Sequence, residues 1–284
     1  MIKAIITDVD GVIVGKKKGV NYPLPNKLII GTLKKLHKKG FPIILCTAKF
    51  SYAIHEIIKQ ADLRNPHITD GGALTIDLLS NKIIAVHTLE NQLALQIISD
   101  LLKSGIYTEC YGVSDYFIQE NQKNKFTEKR SELLQKTPTI LSSLMKEVPK
   151  IDVIKIIAFQ ESTEEKQRIE IVLEKFDGRI NFIWSTHPAL FPNKPTVITV
   201  KGISKKSASF EVLKNLGIKP DETLGIGDSL ADWNFMEICK YAGTVGNESR
   251  ELKELVKKKG AGNYFHGSSV DENGFIDILN FFKL

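Results

Sequence analysis

The sequence predicts an α/β protein, with a Rossmann-like parallel-sheet core and an α+β domain inserted into it. Three observations carry this prediction. Short apolar runs toward both ends of the chain stop abruptly at Asp, Thr or Gly, as buried strands of a parallel sheet do. Helical spacing alternates with those runs, which makes βαβ units with right-handed crossovers. Near Asn81 the pattern changes to helices and hairpin-like strand pairs without carboxylates at their ends, and the first pattern resumes near residue 194. The expected division is a core of residues 1–80 and 194–284 with an inserted domain of residues 81–193, and 284 residues suffice for two such units.

The first strand is the run Ala4-Ile-Ile6, which ends in Thr7-Asp-Val-Asp-Gly11. Asp8 and Asp10 are two apart, so on an extended chain they project to one side. At the carboxyl end of a central strand they would sit where open α/β sheets bind ligands. Two like charges in one cleft repel unless a cation or a proton intervenes, and a hard divalent metal beside a phosphate meets that need. Asp and Gly are also common turn residues, so a plain strand-ending turn is the competing reading of this stretch.

Lys16–Gly19 and Tyr22–Pro25 form a polar excursion, whose lysines suit a solvated flap or the steering of anions. Asn26–Lys39 has helical spacing with Leu28, Ile29, Leu33 and Leu36 on one side, and Gly40 follows as a C-cap. Phe41–Cys46 is the second strand, ended by Thr47-Ala-Lys49. Ser51–Leu63 reads as a helix and His67–Leu74 as a short strand with a glycine turn, in which Asp70 reads as a turn residue. In the middle stretch, strands are expected at 82–87, 106–111, 116–119, 153–159 and 179–185, with helices at 90–103 and 163–176. Residues 120–148 are polar, with at least one helix among them. Pro188–Pro195 reads as the return linker, with His187 just before it, and Trp184 reads as core of the inserted domain. Then come a strand at 196–200, a helix at 205–216, the buried strand Thr223–Ile226 ended by Gly227-Asp-Ser-Leu-Ala-Asp232, a strand at 242–245 and helices at 248–259 and 274–282. Trp233 is expected to pack beneath the Gly227–Asp232 turn.

Composition excludes several classes. The chain is 42% hydrophobic and 25% charged, as in ordinary globular proteins. It has no apolar stretch of the roughly 20 residues needed to span a bilayer, and its start lacks the pattern of a signal peptide. The three scattered cysteines form no disulfide framework or zinc spacing, so a reducing cytoplasm is expected. The net charge of +6 comes from lysines spread over helix faces and helix ends without interleaved aromatics, which argues against a nucleic-acid partner.

Three apolar strands therefore end in groups suited to phosphate chemistry: Asp8/Asp10, Thr47 and Asp228/Asp232, with Lys205 opening the helix before the last. In a parallel sheet these ends share one edge. A carboxylate can carry a phosphoryl group as an aspartyl phosphate, and a protonated one can serve the leaving oxygen and then water. A hydroxyl and an ammonium can hold the other phosphate oxygens, and a carboxylate-bound magnesium ion can neutralise charge.

Asp8-Val-Asp-Gly-Val12, Thr47-Ala-Lys49, Lys205 and Gly227-Asp-Ser-Leu-Ala-Asp232 resemble, in that order, the four motifs of the haloacid dehalogenase superfamily. Ile68-Thr-Asp-Gly-Gly-Ala73, Ile203-Ser-Lys-Lys206 and Val245–Lys253 resemble its Cof-type branch, which includes sugar-phosphate phosphatases. The resemblance implies a core with an inserted α+β cap that closes over the substrate. Asp8 would be the nucleophile and Asp10 the general acid/base. Thr47 and Lys205 would bind phosphate, with the Ala48 N–H facing it. Magnesium would be held by Asp8, the backbone carbonyl of Asp10 and Asp228, with Asp232 as a further ligand or as an orienter of Lys205. An aspartate at position 10 favours phosphate-ester chemistry over dehalogenation.

Three positions depart from the usual motifs. Ala48 replaces a glycine, Lys49 stands where arginine is common, and Ala231 stands where an Asn-Asp pair would place an amide. Asn247 is the candidate to replace that amide in substrate binding, and capping the helix after it is the alternative. The expected function is magnesium-dependent hydrolysis of a small phosphorylated metabolite, a sugar phosphate first and phosphoglycolate next. A phosphomutase on the same core and a non-catalytic binding module are the alternatives. Oligomeric state is not legible.

Overall fold

The structure, a computed structural model, describes residues 1–134, 136–184, 190 and 192–284. It divides into two compact units, Met1–Ala85 with Ser204–Leu284, and Val86–Ile203. His187 and Pro188, singled out in the sequence, lie outside the described residues.

The first unit opens with β1 (Ala4–Thr7), α1 (Lys27–Lys38), β2 (Ile43–Leu45), α2 (His55–Ala61), β3 (His67–Thr69), β4 (Leu74–Asp77) and β5 (Lys82–Val86). All four residues of β1 are buried, as the unbroken apolar run requires. Helix α1 starts where the Asn26 side chain accepts the Ile29 N–H, satisfying one of the free amides of its first turn. Ile29, Leu33 and Leu36 face inward, but Leu28, read as a member of the same face, is 56% exposed.

The second unit contains α3 (Asn91–Lys103), β6 (Tyr107–Tyr111), β7 (Tyr116–Gln119), α4 (Lys125–Leu134), β8 (Thr139–Leu141), α5 (Leu144–Glu147), β9 (Lys155–Gln160), α6 (Thr163–Glu174), β10 (Ile180–Trp184) and β11 (Lys194–Val200). Its six strands run in the order β10-β11-β9-β6-β7-β8. One sheet face packs Cys110, Ile156 and Ala158 against apolar residues of α3 and α6, and Trp184 joins that core. The opposite face of β6 and β9 carries Glu109, Tyr111 and Lys155, all buried. Arg130 of α4 grips Glu109 with both ends of its guanidinium fork, at 2.9 and 2.8 Å, and Tyr111 donates to the same carboxylate. Both oxygens of the buried carboxylate are thus hydrogen-bonded, as the loss of water around its charge demands.

The chain returns to the first unit through α7 (Lys205–Asn215), β12 (Thr223–Gly227), α8 (Trp233–Met236), β13 (Tyr241–Thr244), α9 (Arg250–Val256), β14 (Tyr264–His266) and α10 (Gly274–Phe281). The core sheet has the order β14-β13-β12-β1-β2, and every pairing is parallel. β1 and β12 are therefore adjacent and end at the same edge.

The boundary expected at residue 194 needs correction. β11 is hydrogen-bonded on both sides, to β9 and β10, so the strand read at 196–200 belongs to the second unit, which extends to Ile203. Pro195 suggested a linker because a proline lacks the N–H a central strand uses, yet it occupies the second position of this interior strand. At the other end β5 pairs with β4, so the first unit runs past residue 80 to Ala85.

Candidate active site

The edge of the core sheet gathers the candidate residues. Asp8 follows β1, its N–H donating to Ile226 of β12 at 2.9 Å, and it is only 8% exposed. Lys205, first residue of α7, reaches in with its ammonium 2.8 Å from Asp8 Oδ1 and 2.7 Å from Asp232 Oδ1. Two features aim that lysine. Ser204 caps α7, accepting the Ser207 N–H, and Gly72 lies against the cap so closely that a Cβ there would meet the Ser204 carbonyl at 2.4 Å. Gly72 also has φ +107°, which favours glycine.

The turn after β12 supplies the other acids. Asp232 Oδ2 accepts the Asp228 N–H, the Ser229 N–H and the Ser229 hydroxyl, at 3.1, 3.1 and 2.8 Å. With Lys205 on its other oxygen, Asp232 has both oxygens engaged. That suits an orienter of Lys205 better than a metal ligand. Asp228 Oδ2 faces Gly11, where φ is +81° and a Cβ would approach that oxygen to 2.0 Å. Only glycine lets the backbone after Asp10 come so near.

Oxygens of Asp8, Asp228 and Asp232 lie within 4.8 Å of one another. If all three were ionised, a single ammonium would leave two negative charges uncompensated. The titration behaviour follows. Burial, then the charge of Asp232, pushes Asp8 up to about 7 against the pull of Lys205. Burial and the charges of Asp8 and Asp232 push Asp228 up to about 8. Burial also works to raise Asp232, but Lys205, the Ser229 hydroxyl and the Asp228 N–H overcome it and hold Asp232 below the ordinary carboxylate value. Burial opposes the charge on Lys205, and Asp232 and Asp8 outweigh it, so its pKa lies well above that of a free lysine. Hard oxygen ligands short of positive charge fit a divalent cation such as magnesium.

Asp10 takes another direction. Its carboxylate is not among the three that converge, and Oδ1 pairs with the Lys49 ammonium at 2.7 Å. Thr47, beyond the end of β2, is 2% exposed, and its hydroxyl oxygen accepts the Lys49 N–H at 3.1 Å. Ala48 is exposed between them. Asn247 is not the cap of α9. Its amide nitrogen donates to the Gly11 carbonyl at 2.9 Å, and its oxygen accepts the Val270 N–H at 2.9 Å. The amide thus ties the loop after Asp10 to Val270, its nitrogen also lies 3.4 Å from Asp228 Oδ2, and Ser249 caps α9 by accepting the Leu252 N–H. Asp70 is buried at φ 55°, consistent with a turn. Trp233 opens α8 and packs against the core cluster that holds Phe235 and Met236.

Gly72 and Ser229 were not singled out from sequence. Both lie inside stretches quoted above, and the signal available was the small size of the one and the hydroxyl of the other next to Asp228.

The chain is similar to known proteins over nearly its whole length. Residues 5–268 match the family of haloacid dehalogenase-like hydrolases. The phosphatase YwpJ of Bacillus subtilis is 20% identical over 282 residues, covering 94% of this chain and 97% of its own. A phosphoglycolate phosphatase of Methanospirillum hungatei is 22% identical, covering 99% and 97%. Among solved structures, a haloacid dehalogenase-like hydrolase from Bacteroides thetaiotaomicron superposes with a TM-score of 0.84 at 16% identity, over 99% of both chains. A subclass IIB sugar phosphatase of the same superfamily gives 0.77 at 20% identity, also over 99% of both.

Proposed function

The chain belongs to the haloacid dehalogenase-like hydrolases, and we propose that it is a magnesium-dependent phosphatase acting through an aspartyl phosphate on Asp8. The observation that carries this reading is Lys205 bridging Asp8 and Asp232 while Asp228 converges on the same point. In this reading the Asp8 carboxylate attacks phosphorus and the bond to the leaving oxygen breaks. Asp10 gives that oxygen a proton and later takes one from the water that releases phosphate. The Thr47 hydroxyl and the Lys205 ammonium bind the non-bridging oxygens, and Asp232 keeps the ammonium in place. Asp8, Asp228 and the Asp10 carbonyl would hold magnesium, which neutralises charge on phosphate and nucleophile.

A sugar phosphate is the first candidate substrate and phosphoglycolate the second. The likeness to a sugar phosphatase and to a phosphoglycolate phosphatase, each over nearly the whole chain, supports a small phosphorylated metabolite as substrate. The three free, buried cysteines suit a reducing compartment, and among the described residues no helix is long and apolar enough to cross a membrane. Phosphate release from a panel of phosphorylated metabolites, with magnesium and with EDTA, tests the proposal. Release that needs magnesium is expected. No release from any compound would overturn it, and bisphosphate-dependent isomerisation would then identify a mutase.

The raised values of Asp8 and Asp228 make a further outcome definite. In the metal-free fold these groups bind protons more tightly than in the unfolded chain. Their contribution to stability is present below about pH 4 and is lost as the pH rises through about 7 and 8. A divalent cation displaces those protons and removes the repulsion. The rise in melting temperature on adding magnesium should therefore be larger at about pH 8.5 than at about pH 5.5. An equal rise at both, or none at either, would contradict the assignment of these two aspartates as ligands.

A further inference from the structure

We propose that Lys49 is a positioning residue for Asp10, holding one carboxylate oxygen so that the other meets the leaving group. This rests on the reading of Asp10 as proton donor. Lys49 Nζ lies 2.7 Å from Asp10 Oδ1, and both side chains are part-exposed. The backbone of Lys49 is fixed on both sides, its N–H donating to Thr47 Oγ1 at 3.1 Å and its carbonyl accepting the Asp70 N–H at 2.8 Å. The loop bearing Asp10 is also pinned. The Gly11 N–H donates to the Val14 carbonyl at 2.7 Å, and the Gly11 carbonyl accepts from Asn247. The ion pair therefore joins two fixed points. A lysine ammonium is a point donor, so it engages one oxygen without the two-point grip of a guanidinium fork.

The proton and charge balance gives the pair its purpose. In the first step an Asp8 oxygen bonds to phosphorus, and the bond from phosphorus to the leaving oxygen breaks with its electron pair on that oxygen. Asp10 passes its proton to that oxygen, forming the alcohol, and becomes a carboxylate facing the Lys49 cation. In the second step a water oxygen bonds to phosphorus and its proton goes to Asp10. The bond from phosphorus to Asp8 then breaks, which returns the Asp8 carboxylate and yields inorganic phosphate. Lys49 stays protonated throughout. Lys205 cannot replace it, because its ammonium is shared between Asp8 and Asp232.

Such a residue matters most when the leaving group needs a proton. A sugar alkoxide does, whereas nitrophenolate leaves without one. The test compares kcat/KM, which reports the first irreversible step, for the fastest sugar phosphate of the panel and for p-nitrophenyl phosphate. Wild type, Asp10→Asn, Lys49→Met and Lys49→Arg are measured, each checked for folding by thermal melting. Lys49→Met should shift the ratio of the two values against the sugar phosphate by about 10²-fold, in the direction that Asp10→Asn does. Lys49→Arg, whose fork can grip both Asp10 oxygens, should recover the charge but only part of that ratio. If Asp10→Asn shifts the ratio and Lys49→Met lowers both values equally, or neither, the role of Lys49 is wrong while that of Asp10 stands. If Asp10→Asn leaves the ratio unchanged, the reading of Asp10 itself fails.

Discussion

Lys205→Met should lower phosphate release by about 10²–10³-fold, the loss seen when one preorganised donor to a reacting oxyanion is removed. The ammonium does two things in this site. It is placed to bind phosphate, and before substrate arrives it is the one cation held against two buried carboxylates, Asp8 and Asp232. Methionine keeps an unbranched side chain one atom shorter and removes the charge. Breaking a buried pair costs about 3–5 kcal/mol when the remaining charge stays unpaired. Here the acids can escape part of that cost by taking up protons, and Asp8 already leans that way. The variant should therefore melt lower than wild type, with the deficit shrinking as the pH falls toward 5 and the acids become protonated. Steady-state assays and melting curves on one preparation measure both effects. Activity within tenfold of wild type would mean that Lys205 does not face the reacting phosphate.

What was legible in advance was what local pattern controls. An apolar run stopping at a carboxylate marks a buried strand whose end meets the ligand edge, so β1 and β12 with Asp8, Asp228 and Asp232 could be read directly. Helical spacing from residue 205 placed Lys205 at the start of α7, and the structure adds the Ser204 cap that fixes it there. Contacts between distant stretches were not legible. Asn247 finds its partners at Gly11 and Val270, 236 and 23 residues away, and no local pattern announces either. The same holds for Arg130, whose partner Glu109 lies mid-strand in β6 beside Thr108. Glu109 reads there as solvent-facing until α4 is known to cover it. Pro195 lies in β11 where the described pairing is with Phe159 of β9, and pairing with β10 starts one residue later at Thr196, a place in a sheet that a proline can occupy. For Lys49, the sequence marked the change from arginine but not the carboxylate it would meet.

Asp8→Asn is the most direct test of the central claim. Asparagine keeps the shape of aspartate and an oxygen that can accept from Lys205, so Lys205 retains a partner. The substitution also removes one of three crowded negative charges, which burial and Asp232 already disfavour at this position. The metal-free variant should therefore melt no lower than wild type, and lost activity cannot be laid to unfolding. A neutral amide oxygen is a poor nucleophile toward phosphorus, so the aspartyl phosphate cannot form. Removing a nucleophile typically costs several orders of magnitude in kcat. The measurement is phosphate release from the best compound of the panel, in saturating magnesium, by wild type and Asp8→Asn purified side by side. The account predicts a fall of at least about 10³-fold, with a metal-free melting temperature no lower than that of wild type. Release by the variant within tenfold of wild type would contradict it.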